Sequence, residues 1–260
     1  MWNRKELKAR GKVAFKANYW KCVLVALIII AITGGAAGAG ASTGADNAND
    51  SGQGTVVEQY AGGSITMTAD ESTAQFINDL KDEEPAVIKA VAAIILGVSA
   101  IAVVVGLVLN IFVINPLLAG CYSFFRRNSH EKAPLGEMGA GFRNGYGRVV
   151  KTMLLMDIFL ILWYCLLIIP GIIKTYSYRM VPYIVAERDD LTAKEAITLS
   201  RQMMDGNKWK AFVLDLSFIL WWILTAITLG IVGIFYVNPY YQATNAELYH
   251  ALKAEQAPQF

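Results

Sequence analysis

The chain has 260 residues, 55% of them hydrophobic and 17% charged, with a mean hydropathy of +0.40, where soluble domains run at about 45–50% apolar and about 25% charged. That composition excludes an ordinary soluble enzyme. The 23 basic and 21 acidic side chains nearly cancel, so their placement carries the information. Between Lys89 and Arg126 lie 36 consecutive uncharged residues, between Lys151 and Lys174 the sole charge is Asp157, and between Lys210 and Glu247 it is Asp215. Apolar runs of this length cross a hydrocarbon layer roughly 30 Å thick as helices. The chain therefore reads as an all-α integral membrane bundle.

Residues 1–21 carry seven bases against the single acid Glu6. They read as a cytoplasmic amphipathic flank through Leu7, Val13, Phe15 and Trp20, with Trp20 and Lys21 as interface anchors. Residues 22–41 form span 1, whose Gly34-x-x-x-Gly38 suits close approach of a neighbour. A cleavable signal ending in the small residues 37–41 is the alternative, and the long flank favours a retained span. Residues 42–84 contain Lys81 and nine acids, which makes them an acidic extracellular loop, with a short helix expected at 72–80.

Span 2 is placed at 87–114, because 36 uncharged residues would extend about 54 Å as one helix. Pro116 supplies the break. Residues 115–149 follow as a cytoplasmic interfacial segment, with 117–125 bending along the inner interface. Residues 150–186 and 209–246 are each too long for one crossing and carry turn signals, at Pro170 and Gly171 and at 228–230. They read as hairpins, spans 3 and 4 and spans 5 and 6. Between them, 187–208 is a cytoplasmic amphipathic helix with a Thr192/Glu195 capping box, a Gly206 terminator and an apolar stripe of Ala193, Ala196, Ile197, Met203 and Met204. The tail, 247–260, is cytoplasmic. This gives six transmembrane helices with both termini inside a bacterial cell membrane. Residues 187–210 hold five bases and five acids, so a four-span chain with that stretch outside stays open.

An internal repeat suggests three hairpins. Lys151 leads to Asp157 and then to Trp163, and Lys210, after Trp209, leads to Asp215 and then to Trp221 at the same interval. Both copies leave through a Pro-Tyr pair, at Pro182 and Pro239. A degenerate third copy begins at Asn18 and ends at Pro116. Lys151, Trp209 and Lys210 join Trp20 and Lys21 as interface anchors.

Intramembrane charges are the candidate binding residues. Asp157 and Arg179 fall at similar depth and could pair, Asp215 could compete for Arg179, and Lys174 could snorkel to the outer interface. The pair reads as structural or as a centre for an anionic headgroup. Cys22, Cys121 and Cys165 read as packed small hydrophobes. His130 and His250 lack metal-ligand spacing, and no nucleophile elbow, Walker or dinucleotide motif occurs, so no metal, cofactor, nucleic acid or catalytic residue is expected.

The stretch 169–178, the stretch 191–222 and Asn238-Pro-Tyr-Tyr-Gln-Ala-Thr244 resemble domain of unknown function 975, an uncharacterised polytopic membrane protein family of Gram-positive bacteria. It is loosely similar to the membrane domain of some glycerophosphodiester phosphodiesterases. The resemblance implies a six-span plasma-membrane protein and brings no activity. The expected function is non-enzymatic: binding of membrane lipid, with anionic headgroups at the cytoplasmic side, or of a protein partner or second copy, in envelope upkeep. The alternative is a small-solute or lipid-headgroup transporter using the Asp/Arg centre.

Overall fold

The computed structural model describes residues 2–41, 57–60, 63–66, 85–143 and 145–256. The chain divides into two compact units, 1–35 with 108–260, and 36–107. The smaller unit holds a two-stranded antiparallel ladder, β1 (Val57–Tyr60) and β2 (Gly63–Thr66), pairing Val57 with Thr66 and Tyr60 with Gly63. Most of helix α3 (Pro85–Leu109) also belongs to it. The helix expected at 72–80 lies outside the described residues.

The larger unit is helical. Its elements are α1 (Arg4–Ala17), the first part of α2 (Tyr19–Ala41), a π turn (Asn110–Ile114) leading into α4 (Asn115–Asn128), a 3-10 turn (Leu135–Gly139) and α5 (Ala140–Arg143). Then come α6 (Tyr146–Leu166), α7 (Ile168–Tyr178), α8 (Val181–Glu187), α9 (Ala193–Met203), α10 (Lys208–Leu216), α11 (Ile219–Ile227), a second π turn (Gly233–Val237) and α12 (Asn238–Glu255). Among the described residues, three helical stretches are long and apolar enough to cross a membrane: Lys89–Asn128, Tyr146–Leu166 and Lys208–Ile227. Arg4–Ala17 with Tyr19–Thr33, bent by 106°, makes a fourth if the pair is one span. The protein is thus an α-helical membrane protein.

Two antiparallel hairpins dominate. In the first, Arg148 donates to the Val185 carbonyl, while nearer the tip Trp163 faces Lys174 and Tyr164 bonds Thr175. The partner number falls as the chain number rises, so α6 runs against α7 and α8. In the second, Phe218 meets Tyr240, Trp221 meets Tyr236, and Gly233 lies against Thr225. Helices α10 and α11 therefore run against the π turn and α12. Helix α1 packs along α12 at the hairpin bases, and α4 lies among α8, α12 and α6.

Several expected breaks fall elsewhere. The first hairpin turns at Leu167, which is extended (φ −161°, ψ 140°), and not at Pro170 and Gly171. Those two residues sit inside the first turn of α7, where a proline is tolerated because the backbone N–H it lacks would have no helical partner. Gly171 is there for packing, since an added Cβ would lie 2.6 Å from the Tyr164 ring. The second turn is where 228–230 predicts it, with Leu229 at φ 49° and Gly230 at φ 86°. Pro116, Pro182 and Pro239 all sit in the first two positions of helices, α4, α8 and α12. Pro116 does not end span 2, because the π turn carries the helix through it. Residues 117–125 do not bend along an interface: Ala119, Gly120, Cys121, Phe124 and Phe125 are buried in the core.

The two π turns share a device. The carbonyl four residues before each proline has lost its helical donor, and a tyrosine hydroxyl replaces it: Tyr146 donates to Phe112 O at 2.7 Å, and Tyr19 to Phe235 O at 3.1 Å.

Helix α9 begins with the Thr192/Glu195 capping box and is followed by Gly206 at φ +69°. Its buried stripe includes Ala193, Ala196, Ile197 and Met203, and it packs against α6, α7 and α8. Helix α1 buries Leu7, Gly11, Ala14 and Phe15. Val13 and Trp20, expected on the apolar stripe, are instead exposed. Cys22 and Cys121 are buried and Cys165 is exposed, all three free.

Candidate functional site

The sequence places Arg179, Asp157 and Asp215 at comparable depth, and the helical packing chooses between the two acids. Arg179 follows the last residue of α7, where a cation suits the helix C-terminus. Its guanidinium grips Asp215 of α10 with both ends, Nη1 to Oδ2 at 2.9 Å and Nη2 to Oδ1 at 2.7 Å. Nη2 also donates to Asn245 Oδ1 at 2.6 Å. Tyr176 and Tyr241 donate their hydroxyls to Oδ2 and Oδ1 of Asp215 at 2.9 and 3.0 Å. The Arg179 side chain is 14% exposed and that of Asp215 25%. A bidentate pair with two phenols satisfying the carboxylate is the arrangement in which Coulomb attraction best offsets desolvation.

Asp157 takes no part in this knot. Its Oδ2 accepts from Asn115 Nδ2 at 2.8 Å, so α6 is tied to the start of α4, and the Asp157–Arg179 pairing is replaced by Asp215–Arg179. Lys174 stands with Nζ 4.5 Å from the centre of the Trp163 ring. Both terminal nitrogens of Arg179 are engaged within the knot. A ligand binding those nitrogens would compete with Asp215.

The hairpin bases carry two further groupings that charge counting alone did not reveal. In the first, Glu187 accepts from Lys253 and from the Tyr249 hydroxyl, both at 2.5 Å, with Arg126 at 3.6 Å. Burial opposes its ionisation, but the Lys253 and Tyr249 hydrogen bonds together with the charges of Arg126 and Lys253 outweigh it and hold the carboxyl below its usual range. His250 lies alongside, with Nε2 2.9 Å from the Arg126 carbonyl and Nδ1 3.3 Å from His130 Nε2. Arg10, Arg126, His130, Glu187, His250 and Lys253 line a groove of about 610 Å³ here.

Burial is the main cause pushing His250 down to about 4, and the neighbouring His130 adds to it. A histidine whose folded pKa is depressed stabilises the fold fully above its unfolded value near 6.5 and loses that contribution as pH falls toward 4. The purified protein should therefore melt several degrees lower at pH 4.5 than at pH 7.5. H250Q should flatten that difference; an unchanged slope in H250Q would assign the acid sensitivity to other groups.

In the second grouping, Trp2, Asn3, Arg4, Trp209, Lys210 and Val213 enclose a pocket of about 430 Å³. The Trp2 indole N–H is held by Asn207 Oδ1 at 3.1 Å. Trp209 is 73% exposed. No acidic side chain lines this pocket. Nearby, Lys8 fixes α1 to the break between α10 and α11, donating to the Ser217 carbonyl at 3.2 Å above the Phe218 ring. The anchors Trp20, Lys21 and Lys151 are all exposed. Among the described residues no cluster of three or more histidine, cysteine or acidic side chains could hold a metal.

Neither the curated proteins nor the solved structures contain a match to this chain. A family model described as "Protein of unknown function (DUF975)" matches residues 1–256, and the chain belongs to that family.

Proposed function

We propose that the protein is a non-enzymatic, multi-pass bacterial membrane protein that binds anionic lipid headgroups at its cytoplasmic face, in upkeep of the envelope. The observation that carries this reading is the placement of α1. A 106° bend separates it from α2, and it lies with Leu7, Gly11, Ala14 and Phe15 buried. That leaves Arg4, Lys5, Lys12 and Lys16 exposed beside exposed Val13 and Trp20. A helix with cations on its outer side, followed by an exposed tryptophan at the start of α2, suits the headgroup layer. Each cation near an anionic surface contributes about 1 kcal/mol. The Trp2/Arg4/Trp209/Lys210 pocket supplies a place for one phosphodiester within that layer. On this reading both termini lie on the cytoplasmic side, and a protein partner or a second copy could share the basic face. A transport role draws less support, because Arg179 and Asp215 are engaged with each other.

The test is lipid retention by the purified protein in native mass spectrometry. Phosphatidylglycerol or cardiolipin should be held in preference to phosphatidylcholine. K5E/K12E/K16E should remove that preference, a loss of roughly tenfold or more in relative occupancy. Equal retention of zwitterionic and anionic lipid by the native protein would overturn the proposal.

A further inference from the structure

We infer that the tips of both apolar hairpins end within the hydrocarbon of the bilayer and expose no loop on the far side. The inference goes beyond headgroup binding and depends only on the chain being a membrane protein.

The turn joining α6 to α7 is Leu166-Leu167-Ile168-Ile169, with exposures of 63, 63, 71 and 73%. At the other tip Leu229 is 93% exposed, between Ile227 at 73% and Ile231 at 61%. Turns that meet water are built from Gly, Asn, Asp and Ser, which hydrogen-bond locally or tolerate exposure. Large aliphatic side chains pointing outward at both turns suit acyl chains instead.

The backbone agrees. In hydrocarbon each unsatisfied N–H costs several kcal/mol, so a turn there must satisfy its own donors. Across the second turn each of five consecutive donors has an acceptor: Thr228 N to Leu224 O, Leu229 N to Ala226 O, Gly230 N to Thr225 O, Ile231 N to Thr228 O, and Val232 N to the Thr228 hydroxyl. The hydroxyls of Thr225 and Thr228 turn back to Trp221 O and Leu224 O. The first turn is satisfied in part: Leu167 N reaches Trp163 O, Gly171 N reaches Leu167 O and Pro170 has no donor, while Ile168 N and Ile169 N, at the start of α7, have no backbone acceptor. The polar groups nearest this tip are engaged with one another. Tyr164 bonds Thr175 at 2.8 Å, and Lys174 lies over the Trp163 ring rather than extending past the tip.

In the first hairpin length points the same way. From exposed Lys151 to Leu167 the helix rises about 24 Å, less than the hydrocarbon thickness of roughly 30 Å and well short of the far headgroups.

The experiment uses the full-length protein in cells and then in vesicles. Cys165 is changed to Ser; Cys22 and Cys121 are buried. Single cysteines are introduced as L229C, I169C and, as an exposed control at the hairpin bases, T198C. Both tip cysteines should resist a membrane-impermeant maleimide before and after permeabilisation, whereas T198C should react. Bimane attached at either tip should be quenched more than twofold better by acyl-chain nitroxides than by headgroup nitroxides. Labelling of L229C or I169C from outside intact cells, or stronger quenching from headgroups, would overturn the inference in favour of full crossings. Loss of anionic-lipid retention in K5E/K12E/K16E leaves these readouts unchanged, so the two proposals fail separately.

Discussion

Replacing Arg179 by Ala should lower stability by about 3–5 kcal/mol, the range for breaking a buried ion pair, and D215N should approach it. Removing Arg179 leaves Asp215 with two phenol donors but no counter-charge in a mostly buried setting. Removing the acid leaves a guanidinium whose other partners, the Asn245 amide oxygen and the Tyr241 hydroxyl, are both uncharged. The pair also joins α7 to α10, one helix from each hairpin, so its loss should release the hairpins from each other. R179L/D215L should recover much of the loss, because two apolar groups avoid desolvation altogether. Recovery stays partial while Tyr176 and Tyr241 keep hydroxyls that have lost their acceptor, at about 1–3 kcal/mol each. Adding Y176F and Y241F should restore most of the remainder. The measurement is the thermal midpoint in detergent, followed by size-exclusion monodispersity. A single R179A within about 0.5 kcal/mol of wild type would contradict the central role assigned to the knot. D157N serves as contrast: its one described hydrogen bond is to Asn115, and its cost should be no more than about 1.5 kcal/mol.

The contrast between Asp157 and Asp215 shows where sequence reasoning reaches its limit. Counting residues from a basic flank fixes depth, and it puts both acids level with Arg179. Which one Arg179 meets depends on how the two hairpins sit side by side, and one-dimensional spacing carries no lateral coordinate. The long apolar helices Tyr146–Leu166 and Lys208–Ile227 were legible because long uncharged runs are local properties. Even so, the first turn lies at Leu167 and not at Pro170, since a proline in the first helical turn forfeits nothing. The capping box at Thr192 was legible for the same reason: its two members lie three positions apart. The tyrosine donors to Phe112 O and Phe235 O were not legible. Each spans at least 34 residues of chain, and only the missing N–H of Pro116 and Pro239 hints that a substitute donor is needed. The Glu187–Lys253–Tyr249 grouping was missed because it joins residues more than 60 apart, in segments that read as separate cytoplasmic pieces.

Residues 115–149 were read only as a cytoplasmic interfacial segment, yet two of their glycines, Gly120 in α4 and Gly141 in α5, set up the second large prediction. A Cβ on Gly120 would lie 1.8 Å from the Met138 carbonyl oxygen, and one on Gly141 would lie 2.0 Å from the Pro116 carbonyl oxygen. The two glycines therefore face each other's elements: α4 offers Gly120 to the 3-10 turn and receives α5 on Pro116. Backbone meets backbone at both places, so no side chain can rotate to make room. Overpacking a tight core typically costs 1–3 kcal/mol. These contacts stand at the upper end, because relief requires moving α4, which also packs on α6, α8 and α12. G120A and G141A should each destabilise by about 3 kcal/mol, and G120V should prevent recovery of folded protein. Gly136 and Gly139 meet nothing within 4 Å, so G136A and G139A should stay within about 0.5 kcal/mol of wild type. Four alanine variants ranked by melting temperature provide the check. If G120A and G141A melt with G136A and G139A, the close approach of α4 to the 3-10 turn and α5 is wrong. The predicted order instead makes this linker, and not the basic charges it carries, the element that fixes α4 in the core.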